Sequence, residues 1–334
     1  MNFALIICTY QRPQPLLNLL KSVREQSLYP NDIIIVDGSV DKNTEEILNA
    51  NSFKNLRYFK VSETERGLTK QRNIGISKLQ DTETVACFLD DDIILKPDYF
   101  QKLIETYNEH PQALGVGGYI VNDVEWKSIP KDYNTPINEF SYDGFARPDG
   151  SRFILRKRLG LDADRPPAHL PEFSHGRSVS FLPPSHKTYP VEQLMGGVSS
   201  FKTEILKKYP FSEYFEGYGL YEDADYTLRL SSIGKLYVNT AAQCEHHHNA
   251  SGRPNQFKYG KMVVKNGWYV WRVRWPKPSL NAKLKWHAIV WLLTLIKLTN
   301  VFTTNESKKA LTESLGRIVA WWQLLFMKPR HNDY

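Results

Sequence analysis

Three short stretches crowd carboxylates or imidazoles together in the sequence. "FLDDDI", Phe88–Ile93, sets three carboxylates directly after an apolar run. Adjacent negative charges at a strand end repel one another and lose hydration, so a counter-charge is expected. In an extended segment Asp90 and Asp92 share a face and Asp91 points away. A pair of carboxylates suits a hard divalent cation that also carries phosphate oxygens. A solvated turn with an Asp cap explains an isolated triplet as well. "YEDAD", Tyr221–Asp225, enters a helical stretch closed by Gly234. Asp223 falls in its first turn. There a carboxylate either complements the helix dipole or acts as a general base towards a hydroxyl. "EHHHN", Glu245–Asn249, alternates so that His246 and His248 face one way and His247 the other. One imidazole with two carboxylates makes a mixed oxygen–nitrogen shell, which suits Mn²⁺ better than Ca²⁺.

These residues need elements to hold them. Apolar strands at Phe3–Cys8, Ile33–Val36, Leu56–Val61 and Thr84–Leu89 alternate with helical spacings at Pro15–Gln26, Thr44–Ala50, Lys70–Leu79 and Pro97–His110. The pattern predicts an α/β fold: a mixed, mainly parallel sheet covered by helices on both faces. In such sheets ligands bind beyond the carboxyl ends of the strands, where Asp37 and Asp90–Asp92 fall. From Trp126 to Pro190 the periodicity is lost, and this stretch holds 9 of the 19 prolines. A long irregular segment of this kind is commonly functional or disordered.

The net charge of +7 is unevenly spread. Arg253 to Tyr334 carry fifteen Lys and Arg against three Asp and Glu, a net of +12, which leaves −5 for residues 1–252. This tail also holds most of the tryptophans. It has two amphipathic stretches, Lys283–Phe302 and Lys308–Met327, the second with Leu311, Leu315, Ile318, Trp322 and Leu325 on one face. Basic, Trp-rich helices fit the headgroup zone of an anionic membrane; a packed helical subdomain shows the same stripe. Nucleic acid is not expected as a partner, since no recognised module is present. The longest apolar run, Ala288–Ile296, is short of the roughly 20 residues a spanning helix needs, so no spanning helix is expected. Met1–Tyr10 reads as a first strand and not as a leader. Cys8, Cys87 and Cys244 are odd in number and scattered, which argues against a disulfide framework or a zinc site.

In order, "IICTYQRP", "IIVDGSVD", "RGLTKQRNIGI", "FLDDDI", "GGVSSFKTEIL", "GYGLYEDADYTLRL" and "HHHNASG" resemble the family 2, GT-A-fold glycosyltransferases over residues 3–252. The resemblance implies a catalytic domain over 1–252, with 126–190 as an acceptor-side insertion, and a helical extension over 253–334. It implies that Thr9, Tyr10 and Arg12 border the nucleotide, that Asp37 contacts the base, and that Arg72 and Asn73 line the pocket. Asp90 and Asp92 match the ends of the DxD motif, the first near the ribose and the second on the metal, and Asp91 is counted with the nucleotide set. Gly196 and Gly197 border donor sugar and acceptor, Glu222 lies near the acceptor, and Asp223 is the base. His246 matches the metal-proximal histidine, with His248 the alternative. The implied reaction is inverting, metal-dependent (Mn²⁺ or Mg²⁺) sugar transfer from a nucleoside-diphosphate sugar to a glycan or glycolipid. The expected place is the cytoplasmic face of the cell membrane, peripherally bound. The rivals are a phosphohydrolase of the haloacid dehalogenase type, which also uses Asp-x-Asp after a strand, and a non-catalytic nucleotide-sugar-binding scaffold.

Overall fold

The computed structural model of the protein describes residues 1–215, 217–247 and 255–329. The first elements are β1 (Phe3–Thr9), α1 (Pro13–Arg24), β2 (Asp32–Asp37), α2 (Asn43–Asn49), β3 (Leu56–Lys60), α3 (Leu68–Ser77) and β4 (Val85–Asp90). Next come β5 (Ile93–Leu95), α4 (Tyr99–Glu109), β6 (Ala113–Ile120), β7 (Lys127–Ser128), β8 (Glu139–Tyr142), β9 (Phe145–Pro148) and α5 (Ser151–Arg158). Then follow β10 (Thr188–Val191), β11 (Val198–Lys202), α6 (Thr203–Lys208), α7 (Glu222–Ser231) and β12 (Lys235–His246). Three long helices end the chain: α8 (Gln256–Arg274), α9 (Leu280–Thr303) and α10 (Ser307–Phe326).

These elements form two compact units. The first takes residues 1–125 and the described residues from 184 to 247. Its nine-stranded sheet runs β10-β12-β6-β11-β4-β1-β2-β3, with β5 paired to β12. The strands expected from the apolar runs, β1 to β4, are all parallel to their neighbours among themselves. β11 then enters antiparallel between β4 and β6, which makes the sheet mixed. β1, β2 and β4 are apolar along their length because side chains on both faces are buried. One core cluster joins them to α1 and α4 through Leu16, Leu20, Phe100 and Leu103. This is the GT-A-like α/β architecture that the motif order implies, with a helical region at its C-terminal end.

The register decides where the chemistry lies. Thr9 of β1 pairs with Asp37 of β2, and Cys8 of β1 pairs with Asp90 of β4. The carboxyl ends of three adjacent strands therefore finish in one row, and the acidic residues sit on it.

The second unit takes residues 126–183 and the described tail from 255 on. The proline-rich segment expected to be an insertion of the catalytic domain packs here with the tail helices, up to residue 183. The cause is a set of specific contacts. The Trp271 indole donates to the Glu172 carbonyl at 2.7 Å, and the Ser279 backbone N–H donates to the Glu172 carboxylate at 2.7 Å. Phe173 packs in one cluster with Ala282 and Ile289. The segment also has structure of its own, a small antiparallel sheet β7-β9-β8 and α5. Beside it Arg177 pairs with Asp149 and Asp162 and lies against the rings of Phe140, Phe153 and Phe181. That buried cation is fully neutralised, which makes its burial tolerable.

One expectation is corrected here. α9 has 24 residues and is long and apolar enough to cross a membrane by length and composition. The apolar run is bounded by His287 and Lys297, neither of which ends the helix.

Candidate active site

The acidic triplet divides as its alternation predicts. Asp91 turns into the protein, where it accepts from the Thr9 hydroxyl at 2.7 Å and from Arg12 at 2.8 Å. Burial pushes its carboxyl up to about 6, against the pull of those two donors. Asp92 accepts from the same Arg12 at 3.0 Å and lies 3.1 Å from His246 Nε2. Asp90 keeps a side chain 44% exposed at the rim, beside Arg72 at 4.0 Å. Thr9 and Arg12 are thus brought to the triplet, while Tyr10 is exposed nearby on the same loop.

Asp90, Asp92 and His246 offer ligand atoms that all lie within 4.8 Å of one another. Two carboxylate oxygens and one imidazole nitrogen match the donor set of Mn²⁺, and of Mg²⁺ less closely. The residues present therefore fit the divalent cation that the family pattern implies. The hydrogen bond to Asp92 raises the His246 imidazole above its ordinary range. The alternative ligand, His248, lies outside the described residues.

Sequence reasoning missed Asn122. Its side-chain amide donates to the His246 carbonyl at 2.9 Å, and its carbonyl oxygen accepts the His246 N–H at 2.9 Å. β6 ends at Ile120, so this amide continues the ladder to β12 by mimicking a peptide group. His247 N–H to the Asp92 carbonyl, at 2.9 Å, holds the other side. The only sequence signal is an Asn just past a strand end, which turns and loops supply in plenty.

The second acidic pair stands across from the triplet. Tyr221 takes a left-handed backbone (φ 71°) and starts α7, which places Glu222 and Asp223 in its first turn. Glu222 is buried and lies 2.6 Å from the buried Arg72 guanidinium. Burial pushes the Glu222 carboxyl up to about 8, while Arg72 pulls it the other way. Asp223 accepts from the Gly196 N–H at 3.2 Å through one oxygen and from the Ala224 N–H at 2.7 Å through the other.

Gly196 and Gly197 lie between these groups. A Cβ on Gly196 would come within 2.7 Å of Glu222 Oε1 and 2.9 Å of Arg72, and one on Gly197 would run into the Asp90 carboxylate. Only hydrogen fits at either position. The Ser199 hydroxyl holds the turn by donating to the Gly196 carbonyl at 3.1 Å.

Two of the expected nucleotide residues are engaged within the protein. Asp37 is fully buried, and its oxygens accept from the Ser39 N–H and the Tyr58 hydroxyl, each at 2.8 Å. Asn73 exchanges two hydrogen bonds of 2.9 Å with the Phe211 backbone. That clamp sets the Phe211 ring against Arg72, 5.1 Å from the guanidinium. Gln71, also missed, donates to the carbonyls of Thr9 and Val36 and ties the ends of β1 and β2 together.

Residues 4–164 match the model of the glycosyl transferase family 2. This chain carries a family 2 glycosyltransferase domain. Over 128 residues it is 30% identical to the glucosyl-dolichyl phosphate glucuronosyltransferase of Haloferax volcanii, covering 37% of this chain and 39% of that one. It is 26% identical over 110 residues to the O-antigen chain rhamnosyltransferase RfbN of Salmonella typhimurium, covering 33% and 34% of the two chains. With the amylovoran biosynthesis glycosyltransferase AmsE of Erwinia amylovora it shares 28% over 149 residues, 42% and 54% of the two. The matches thus span from about a third to about half of these relatives' length. The family match takes in Thr9, Arg12, Asp37, Arg72 and Asp90–Asp92 of the glycosyltransferase domain. Gly196, Glu222, Asp223 and His246 lie beyond it. No support remains for the phosphohydrolase alternative.

Proposed function

We propose that the protein transfers a sugar from a nucleoside-diphosphate sugar to an acceptor hydroxyl with inversion, in the synthesis of a cell-surface polysaccharide or glycolipid. One observation carries the chemistry. Gly196 bonds the Asp223 carboxylate and Gly197 abuts Asp90, so a base and a cation ligand flank a single dipeptide. Asp90, Asp92 and His246 would hold Mn²⁺ or Mg²⁺. When bound, such a cation neutralises charge on a diphosphate leaving group.

The chain's own residues do the rest. Asp223 takes the proton of the acceptor hydroxyl as its oxygen bonds to the anomeric carbon and the bond to the diphosphate breaks. The Gly196 N–H orients that carboxylate. Arg72 and Glu222 fix the wall behind it. Arg12 neutralises Asp91 and the Thr9 hydroxyl bonds to it, which leaves Asp90 and Asp92 as the ligating pair. The relatives' names, for O-antigen, amylovoran and dolichyl-phosphate products, support a glycan or glycolipid acceptor. The basic tail supports a peripheral place on the cytoplasmic face of an anionic membrane.

Asp223→Asn tests the base. Transfer should fall by about 10²–10⁴-fold, while donor affinity, measured by calorimetry, stays within a few-fold. Unchanged transfer in Asp223→Asn would assign the base to another residue.

A further inference from the structure

Two helices of the second unit, α9 and α10, turn apolar residues outward. α10 turns Ala310, Glu313, Ser314, Gly316, Ala320 and Leu324 inward. Small residues there let α10 approach α8 closely: a Cβ on Gly316 would strike the Phe257 carbonyl, and one on Gly260 the Glu313 carbonyl. The apolar face of α10 is left outside. Leu311, Leu315, Trp322, Leu325 and Phe326 are exposed, Phe326 by 82%. They recur at helical spacing, so they form one stripe.

α9 is apolar on its inner face and exposes apolar residues on its outer face as well. Trp286, Ile289 and Val290 face the unit's interior, while Leu284, Leu295 and Phe302 are exposed, Phe302 by 87%. Trp291 shares that outer face by spacing. Its ring lies 5.1 Å from Trp321, which packs at 5.3 Å on Trp322. The two stripes are therefore neighbours on one surface.

We propose that this α9–α10 face lies in the plane of a membrane, sunk to the headgroup–acyl boundary of an anionic bilayer. Two helices turning an apolar stripe outward exceed what scattered surface residues require. Charge selects the occupant. The tail carries a net of +12 from Arg253 to Tyr334, so a second copy brings repulsion and an anionic lipid brings attraction. Tryptophans on and beside the stripes suit the interfacial zone. The packing selects the mode. α9 is long enough to span, but its inner side is occupied by the unit's core, and its Lys297 pairs with the buried Glu313 of α10 at 2.8 Å. Only one side is available to lipid, as in an in-plane helix. This inference deepens the membrane placement proposed above and is independent of the sugar-transfer chemistry.

Vesicle flotation without donor tests it, so a failure leaves the transfer reading standing. The full chain should float with phosphatidylcholine vesicles enriched in phosphatidylglycerol, bind phosphatidylcholine alone far less, and be released by alkaline carbonate. The triple variant Leu311→Ser, Leu315→Ser, Trp322→Ser should partition at least about tenfold more weakly. Leu295→Ser with Phe302→Ser should act in the same direction from α9. An unchanged thermal melt for both variants excludes unfolding as the cause. The proposal is overturned if wild type fails to float with the anionic vesicles, or if the folded variants float like wild type. Retention after carbonate would show a spanning helix instead. Sedimentation equilibrium that finds a dimer dissolved by the same substitutions would assign the face to a second copy.

Discussion

Arg72 and Glu222, 150 residues apart, meet at 2.6 Å with both side chains sealed from solvent. α3 delivers the cation and the first turn of α7 the anion, so the pair joins the strand-end row to the base-bearing helix. Removing Arg72 leaves the buried Glu222 carboxyl, already pushed up to about 8, protonated and without its partner. Arg72→Gln should cost about 1–3 kcal/mol of stability in urea denaturation. Glu222→Gln should cost less, because Arg72 keeps Asp90 within 4.0 Å. Equal losses in the two variants would show that Asp90 does not compensate Arg72.

Asn122 positions His246 through its backbone and touches no reacting atom. Asn122→Ala should lower the affinity for Mn²⁺ by about 10–100-fold, as loss of a ligand's supporting partner does. The reading is electron paramagnetic resonance of free Mn²⁺ titrated with the protein. Turnover at saturating Mn²⁺ should stay close to wild type. A drop in turnover with unchanged Mn²⁺ affinity would contradict the positioning role.

His175 gives the second unit a pH dependence. Its Nε2 is enclosed and has no hydrogen-bond partner among the described residues, although part of the residue is exposed. Burial, with Arg156, Arg317 and Arg152 adding repulsion, pushes the imidazole down from 6.5 to about 3. Between those values the unfolded chain binds the extra proton, so stability is full above 6.5 and falls as pH falls. The loss at pH 5 should be roughly 1–2 kcal/mol. His175 has a left-handed backbone (φ 54°), which Asn tolerates, so His175→Asn is the control. It should flatten the slope of stability against pH over this window. An unchanged slope would remove His175 as its source.

Much of the first unit was legible because buried parallel strands are apolar throughout. β1 to β4 announce themselves, and the acidic residues stand directly after two of them. β6 and β11 do not: "ALGVGGYI" needs glycine where Phe201 and Tyr99 crowd Gly115 and Gly118, and two serines break the apolar run of "VSSFK". Asp37 and Asn73, expected as nucleotide contacts, also bond within the protein. Asn122 was invisible because its meaning depends on a strand 124 residues away. The outward stripe of α10 was visible as a stripe. Which way it faces depends on Gly260 and Gly316, which matter only once α8 and α10 are seen to touch.

The central claim is that the row of Asp90, Asp92 and His246 works with Asp223 in metal-assisted transfer from a nucleotide sugar. The direct measurement is nucleoside-diphosphate release from a panel of UDP-, GDP- and dTDP-sugars with Mn²⁺, repeated after EDTA. The account predicts release from a restricted set of donors, abolished by EDTA and restored by added Mn²⁺. Release that persists undiminished in EDTA, or no release from any donor, would contradict it.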